Sequence, residues 1–400
     1  MQVLQYVYSK YEEYVVGECF DETTPLEGKV YIVTGANTGL GFHTAAELAH
    51  MGATVVMACR TPAKAQAARD LILQGRSNEM RTPKKEMIAP SKVIILPLDL
   101  NSFDSVREFV ASFKKLQLPL HGLINNAGMM SAERSETSDN SGLETVMTAN
   151  HLSPFLLTNL LLPELNATAH RELQALRIRK GHESHSGDVA QQSSKSKKAA
   201  VGKKSEASVQ DSEVRTSSTG PTQADIDACY GRIINVASAL HKSTKAFNFD
   251  DIMSEKNYSL FGTYAQSKLA NVLFTCELQE RFDRLSHGKP LDDQILVVAN
   301  CVHPGCVRTE VTRNMSPLVQ LGNNLAAPIM CWFQKTALQG CYTSVFTAIS
   351  PEAVETDEHG QRGGGYYFHC EKCAMGPGVN ATDAKRLWMV SEAYVEQKFM

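Results

Sequence analysis

Along the chain, short runs of β-branched and other apolar residues alternate with longer segments whose apolar positions recur every three or four residues. "KVYIVTG" (29–35) reads as a buried strand, "FHTAAELAHMG" (42–52) as a helix closed by glycine, and "ATVVMACR" (53–60) as a second strand. "KVIILPLDL", "LHGLINNAG", "GRIINVAS" and "ILVVANCVHPG" are further strands, each preceded by a helical stretch. Strands that are apolar throughout are buried on both faces. Alternating with helices, they predict an α/β fold: a doubly wound, mostly parallel sheet with helices on both faces. Ligands of such a sheet sit outside the carboxyl ends of its strands, where "TGANTGLG", "NNAG", "VAS" and "HPG" all fall.

Two segments break the alternation. Between "LLLPEL" and "GRIINVAS" the chain turns to Ser, Lys, Gly and Gln with almost no large aliphatic or aromatic residue. Such a composition cannot bury enough apolar surface to offset ordering entropy, so disorder is expected over 175–224. A smaller polar insert covers 75–87. Both fall between elements, where insertions are tolerated. The organisation predicted is an N-terminal extension (1–27) and one domain (28–393) with decorations. In the extension, Val3, Leu4, Val7, Tyr11, Tyr14 and Val15 fit one helical stripe, suited to packing on the domain or on a partner subunit.

With 43% hydrophobic residues, 400 residues suffice for one large core. A formal net charge of -3 gives no reason to expect nucleic acid as partner. Ten cysteines without a repeating spacing, and no secretory signal, read as reduced thiols, so a cytoplasmic location is expected. "HCEKC" (369–373) lacks the second paired half that a zinc site needs; it is expected to be a surface loop, and no metal is expected. No run approaches the ~20 apolar residues of a transmembrane helix.

The chemistry is concentrated at the strand ends. "TGANTGLG" follows a strand and opens a helix, with glycines at 35, 39 and 41. Glycines there permit a tight turn and the close approach of a pyrophosphate to a helix N-terminus, the arrangement of a Rossmann-type dinucleotide site. Dinucleotide binders specific for NAD place an acid at the end of the second strand, whereas an arginine accommodates a 2′-phosphate. Here Cys59 is followed by Arg60 with no carboxylate, which favours NADP(H) over NAD(H). Tyr264 and Lys268, one helical turn apart, lie on one face of a helix; alone, so loose a pattern carries nothing.

Together, "TGANTGLG", "ACR", "LDL", "LINNAG", "ANHLSPFLLT", "GRIINVAS", "YAQSKLANVLF" and "VHPGCVRTE" make the chain resemble the classical short-chain dehydrogenases/reductases, in their retinol dehydrogenase and WW-domain-oxidoreductase-like branch. The resemblance covers about 28–165 and 230–393, with a C-terminal echo in "KTALQGCYTS", "GGYYF" and "AKRLWMVSE". It implies an NAD(P)-dependent oxidoreductase acting on CH–OH groups through four residues. Tyr264 would give a proton to the carbonyl oxygen as hydride arrives, and Lys268 would stabilise the phenolate and hold the nicotinamide ribose. Ser238 would fix the substrate oxygen, and Asn150 would anchor a water between Lys268 and solvent. It also implies a cofactor held by Gly35, Asn37, Gly39, Leu40 and Gly41 in the first turn and by Arg60 after the second strand. Asp99 and Leu100 would lie at the adenine, and Asn125, Ala127 and Gly128 beside the adenosine ribose. Pro304, Gly305, Val307 and Thr309 would frame the carboxamide, while Asn126 is a candidate for tying strands together.

In this family the region after Thr309 forms a substrate lid. Here it carries Leu318, Val319, Leu321, Leu325, Ile329, Met330, Trp332 and Phe333, suited to a lipophilic aldehyde, ketone or alcohol of retinoid or steroid type. The same residues suit a cover for the core or a peripheral membrane contact. The resemblance further implies a homodimer pairing through the helix that holds Tyr264 and the helix that follows Asn150. A second reading stands beside the enzyme: a cofactor-bound scaffold whose disordered insert recruits partners.

Overall fold

The computed structural model describes residues 24–75, 87–138, 141–196, 220–307, 335–356 and 362–400; for 181–196 only the backbone is described. The N-terminal stripe, Thr309 and the eight apolar residues of the expected lid lie outside the described residues.

All six predicted strands form: β1 (Val30–Thr34), β2 (Thr54–Cys59), β3 (Val93–Pro97), β4 (Gly122–Asn125), β5 (Gly231–Val236) and β6 (Val297–His303). They are joined by β7 (Tyr366–Phe368), parallel to β6, and β8 (Glu371–Cys373), antiparallel to β7. The sheet order is β3-β2-β1-β4-β5-β6-β7-β8. The chain winds outward from β1 to β3 and then returns to β4 on the other side of β1, and the crevice lies at this reversal.

Strand alternation explains why both faces are apolar. Val30, Ile32, Val56, Leu123 and Ile233 point to one core, and Tyr31, Val33, Val55, Met57, Ile124 and Ile234 to the other. The second core is covered by α1 (Gly39–His50) and α2 (Pro62–Leu73). The first is covered by α3 (Phe103–Lys115) and α4 (Ser153–Ser196). After the short α5 (Gln223–Asp227), the helix α6 (Leu260–Ser286) completes the first layer, α7 (Ala337–Ile349) the second, and α8 (Ala381–Tyr394) closes over the first.

α8 lies across α4 and α6. Trp388 packs edge-on against Phe155 at 4.9 Å, the Arg281 guanidinium stands 4.0 Å over its ring, and His151 meets Ser391 at 2.8 Å. From Ala265 to Thr275 every residue of α6 is buried.

Two expectations are redrawn. The helix α4 does not stop near 175 but continues to Ser196, well into the segment expected to be disordered. Its start is anchored: Leu173 and Leu176 pack against Tyr230 and Leu296, Arg177 meets Asp292 at 2.6 Å, and Lys180 stands 3.8 Å from Asp225. At the other end of that segment Thr222 and Asp225 form a reciprocal cap on α5. Residues 197–219 lie outside the described residues. "HCEKC" is not a loose loop either. His369 and Cys370 (φ 54° and 64°) are the two-residue turn of the β7–β8 hairpin, a conformation that fits strand twist, and Cys370 is buried.

Candidate active site

The crevice at the reversal holds about 380 Å³ and is lined by the first β–α turn, the end of β2, "LDLN" after β3 and "NAGM" after β4. Gly35 turns with φ 66°, and a Cβ on Gly41 would lie 2.5 Å from the Gly35 oxygen and 2.3 Å from Asn126 Nδ2. The turn is therefore compressed onto the "NNAG" segment and closed to any side chain. α1 then begins with no side chain capping its first amides and no acid in its first turn, so its positive end is left facing the crevice. A cradle of this kind fits the pyrophosphate of a dinucleotide.

Gly35, Asn37, Gly39, Leu40, Gly41, Arg60, Asp99, Leu100, Ala127 and Gly128, all expected there, line the crevice. Asn125 does not. Its Nδ2 donates to Thr158 Oγ1 and Asn235 Oδ1, both at 2.8 Å, knitting β4 to β5 and α4 in the buried interior. Asn126 both lines the crevice and ties strands, donating from Nδ2 to the Thr34 oxygen at 2.8 Å. Alternation puts Asn125 in phase with Leu123 and Asn126 in phase with Ile124, and because both faces of the sheet are covered it does not separate the two. Pro304, Gly305 and Val307 follow β6, where Val307 pairs with Lys335 and packs beside Leu40 above Gly340. They are not themselves among the residues that line the crevice, but Val307 adjoins it through Leu40.

Lys64 is a lining residue the sequence reading missed. Its signal was present: it stands four positions after Arg60, in the first turn of α2, whose leading Pro62 fixes the helix start beside the crevice. Arg60 and Lys64 are exposed, and among the described residues Asp99 is the carboxylate of the lining. Burial pushes the Cys59 thiol up to about 11, so it stays neutral beside them.

Past Gly128 the polar groups converge. A Cβ on Gly128 would sit 3.2 Å from Lys268 Nζ and 3.5 Å from Asn150 Oδ1. Asn150 belongs to a π-turn (Thr148–Leu152) ahead of α4; widened turns of this kind re-aim side chains. Its Oδ1 accepts from the Met129 amide at 2.8 Å, while Nδ2 donates to the Met129 oxygen at 3.0 Å and Ser267 Oγ at 2.9 Å. Lys268 is buried and donates to the Val236 oxygen at 2.8 Å. Ser238, just beyond β5, lies near enough to the Tyr264 phenol to act on its titration, while its own Oγ accepts from the Leu240 amide at 3.3 Å. Thus Asn150, Ser238, Tyr264 and Lys268 meet at the carboxyl ends of β4 and β5.

The two titratable members are displaced in opposite directions. Burial pushes the Tyr264 phenol up to about 12, with the nearby Ser238 hydroxyl acting in the other direction. Burial brings the Lys268 ammonium down to about 8. Both shifts favour the neutral form, because a charge loses its hydration on leaving water. Lys268 Nζ lies 5.5 Å from the Tyr264 ring centre while it donates to the Val236 carbonyl.

Among the described residues no three His, Cys, Asp or Glu side chains cluster as a metal site would, and no helix is long and apolar enough to cross a membrane.

The short chain dehydrogenase family model matches residues 29–174. Retinol dehydrogenase 12 of Homo sapiens is 34% identical over 367 residues, covering 92% of this chain and 86% of that protein. Human retinol dehydrogenase 14 is 32% identical, with 92% and 87% covered, and human polyprenol dehydrogenase 32% identical, with 87% and 78% covered. A crystal structure of an uncharacterized protein from Mycobacterium paratuberculosis superposes with a TM-score of 0.57 at 25% identity, covering 96% of this chain and 99% of that one. The chain belongs to the short-chain dehydrogenase family, in its retinol dehydrogenase branch, and is an NAD(P)-dependent carbonyl/alcohol oxidoreductase.

Proposed function

We propose that the protein interconverts a lipophilic aldehyde or ketone and its alcohol, with NADP(H) as cofactor and Tyr264 as the proton donor and acceptor. The observation that carries this reading is the convergence of Asn150, Ser238, Tyr264 and Lys268 beside a glycine-walled crevice. The bound nicotinamide supplies or takes the hydride. Tyr264 then protonates the carbonyl oxygen, and a phenol held near 12 stays protonated, and so able to donate, at neutral pH. Ser238 holds that oxygen in line with the phenol, and Asn150 holds the turn that presents Lys268.

Arg60 and Lys64 support NADP(H): two cations just after β2, in a segment that carries no acid of its own, suit a 2′-phosphate better than a 2′-hydroxyl. The substrate class is supported by the relatives, since retinol and polyprenol, from which all three are named, are both isoprenoid alcohols. The test is cofactor titration followed by turnover of all-trans-retinal, citral, farnesal and a ketosteroid with NADPH and with NADH. Turnover of an isoprenoid aldehyde, faster with NADPH and abolished in Tyr264→Phe, is the expected outcome. A Tyr264→Phe protein that binds NADPH normally and keeps full activity would overturn the reading.

A further inference from the structure

One buried side chain next to the proposed reaction centre has no part in the chemistry above. His241 is fully buried three residues after Ser238, within the 3₁₀ turn Ala239–Ser243. Its Nδ1 lies 2.6 Å from the Ser238 carbonyl oxygen, and its Nε2 lies 3.0 Å from the backbone nitrogen of Gly376. These partners settle the tautomer. A carbonyl oxygen only accepts, so Nδ1 donates; a backbone amide only donates, so Nε2 accepts. A neutral imidazole with its proton on Nδ1 therefore bridges the backbone of Ser238 to the segment after β8.

That segment is clamped from its own side. A Cβ on Gly376 would lie 2.8 Å from Lys242 Cα and 3.0 Å from His241 Cδ2. One on Gly378 would lie 2.4 Å from the Thr244 oxygen and 3.1 Å from Leu269 Cδ2, beside Lys268. The Tyr366 ring packs edge-on against the imidazole at 4.8 Å. Ser238 itself is extended (φ -155°, ψ 154°), and its Oγ accepts from the Leu240 amide at 3.3 Å, so the direction of the hydroxyl follows from how its backbone is held.

We propose that His241 is a positioning residue for the reaction: through Nδ1 it fixes the Ser238 carbonyl, and through Nε2 it braces that carbonyl against the Gly376 segment, so that the Ser238 hydroxyl stays in reach of Tyr264. This rests on the function proposed above, in which Ser238 orients the substrate oxygen. Nothing in the primary structure announces it, because the brace closes across 135 residues.

The experiment compares H241F, H241N, H241Q and S238A in the full chain with NADPH and the fastest aldehyde of the panel above. Phenylalanine keeps the ring but neither hydrogen bond. Asparagine places an amide nitrogen where Nδ1 stood, and glutamine reaches only toward Gly376. A 1 Å misplacement of a positioning group costs up to about 100-fold. H241F is therefore expected to lose kcat by about 10- to 100-fold with KM and NADPH affinity within about twofold, and H241N to recover at least about fivefold of that loss. Equal kcat in H241F and wild type, or equal losses in H241F and H241N, would overturn the inference. Should H241F fail to fold, the remaining pair decides: asparagine above glutamine supports it, and equality sinks it. Loss of activity in S238A with none in H241F removes this inference alone. Full activity in S238A removes the reading of Ser238 and this inference with it.

Discussion

The two ends of the crevice are built by different physics. Around β1 and β2 the work falls to backbone and surface: glycines that admit no side chain, helix amides left uncapped, and two exposed cations. Around β5 and α6 it falls to buried polar side chains, an ammonium brought down to about 8 and a phenol pushed up to about 12. A dinucleotide needs shape and positive potential, which a turn and a surface supply at little cost. Proton transfer needs groups whose charge states can be exchanged, and those have to be drawn out of water. Changes at the first end should therefore register in binding, and changes at the second in turnover.

The sharpest test of that division is Tyr264→Phe. Removing a positioned proton donor costs roughly 10²- to 10⁴-fold in rate. The expected result is a kcat reduced by about that factor, with NADPH affinity from fluorescence titration unchanged. A comparable loss of affinity would show that the two ends are not separable.

Gly41→Ala probes the opposite end. The added methyl would stand 2.3 Å from Asn126 Nδ2 and 2.5 Å from the Gly35 oxygen, and the second of these is backbone that cannot swing aside. Overpacking of this kind costs about 1–3 kcal/mol. NADPH affinity should fall by roughly 10- to 100-fold, accompanied by a lower Tm. A variant with wild-type affinity would mean that the turn is not the cofactor's cradle.

The buried ammonium gives the catalytic end a signature in stability as well as in rate. Lys268 in the folded chain sits near 8, below its ordinary 10.5, so between those values the unfolded chain binds more protons than the folded one. Stability therefore gains with rising pH across that window, by about 2 kcal/mol between pH 8 and 10. Tyr264, raised from 10.0 to about 12, has the reverse sign: above pH 10 the unfolded phenol loses its proton first, and stability falls. Urea unfolding from pH 8 to 10 should accordingly show a more positive slope in wild type than in Lys268→Met. Identical slopes would place the ammonium in contact with water.

What could be read in the linear chain divides along the same line. The first end is local: "TGANTGLG", "ACR" and "LDL" each form their part of the crevice from a few consecutive residues, so their spacing carries the geometry. The second end is assembled from distant partners, with Asn150 meeting Ser267 across 117 residues. Residue types and order could nominate Asn150, Ser238, Tyr264 and Lys268, but not their hydrogen bonds or the direction of the phenol's shift. Asn125 was misplaced because a motif does not say which of two adjacent asparagines faces inward. The reach of α4 beyond 175 was missed because composition outweighed Leu176, whose helical spacing from Ala169 and Leu173 continues the buried stripe. The cover that α8 places over α4 and α6 had only one cue, the "RLWMV" stretch with its tryptophan.

The smallest expected effect is the most selective. Arg60 and Lys64 are exposed, so hydrogen bonds from them to a 2′-phosphate, as proposed, would compete with water and with salt. A hydrogen bond to a charged group contributes about 1.5–3 kcal/mol when well formed, and the lower end applies at such a surface. Arg60→Ala should raise KM for NADPH roughly tenfold and leave KM for NADH where it was. Lys64→Ala should do the same more weakly, since an ammonium does not offer the paired donors of a guanidinium. High salt should compress the difference between wild type and either variant. Equal effects on both cofactors would assign Arg60 to the pyrophosphate instead, and the end of β2 would then carry no coenzyme discrimination at all.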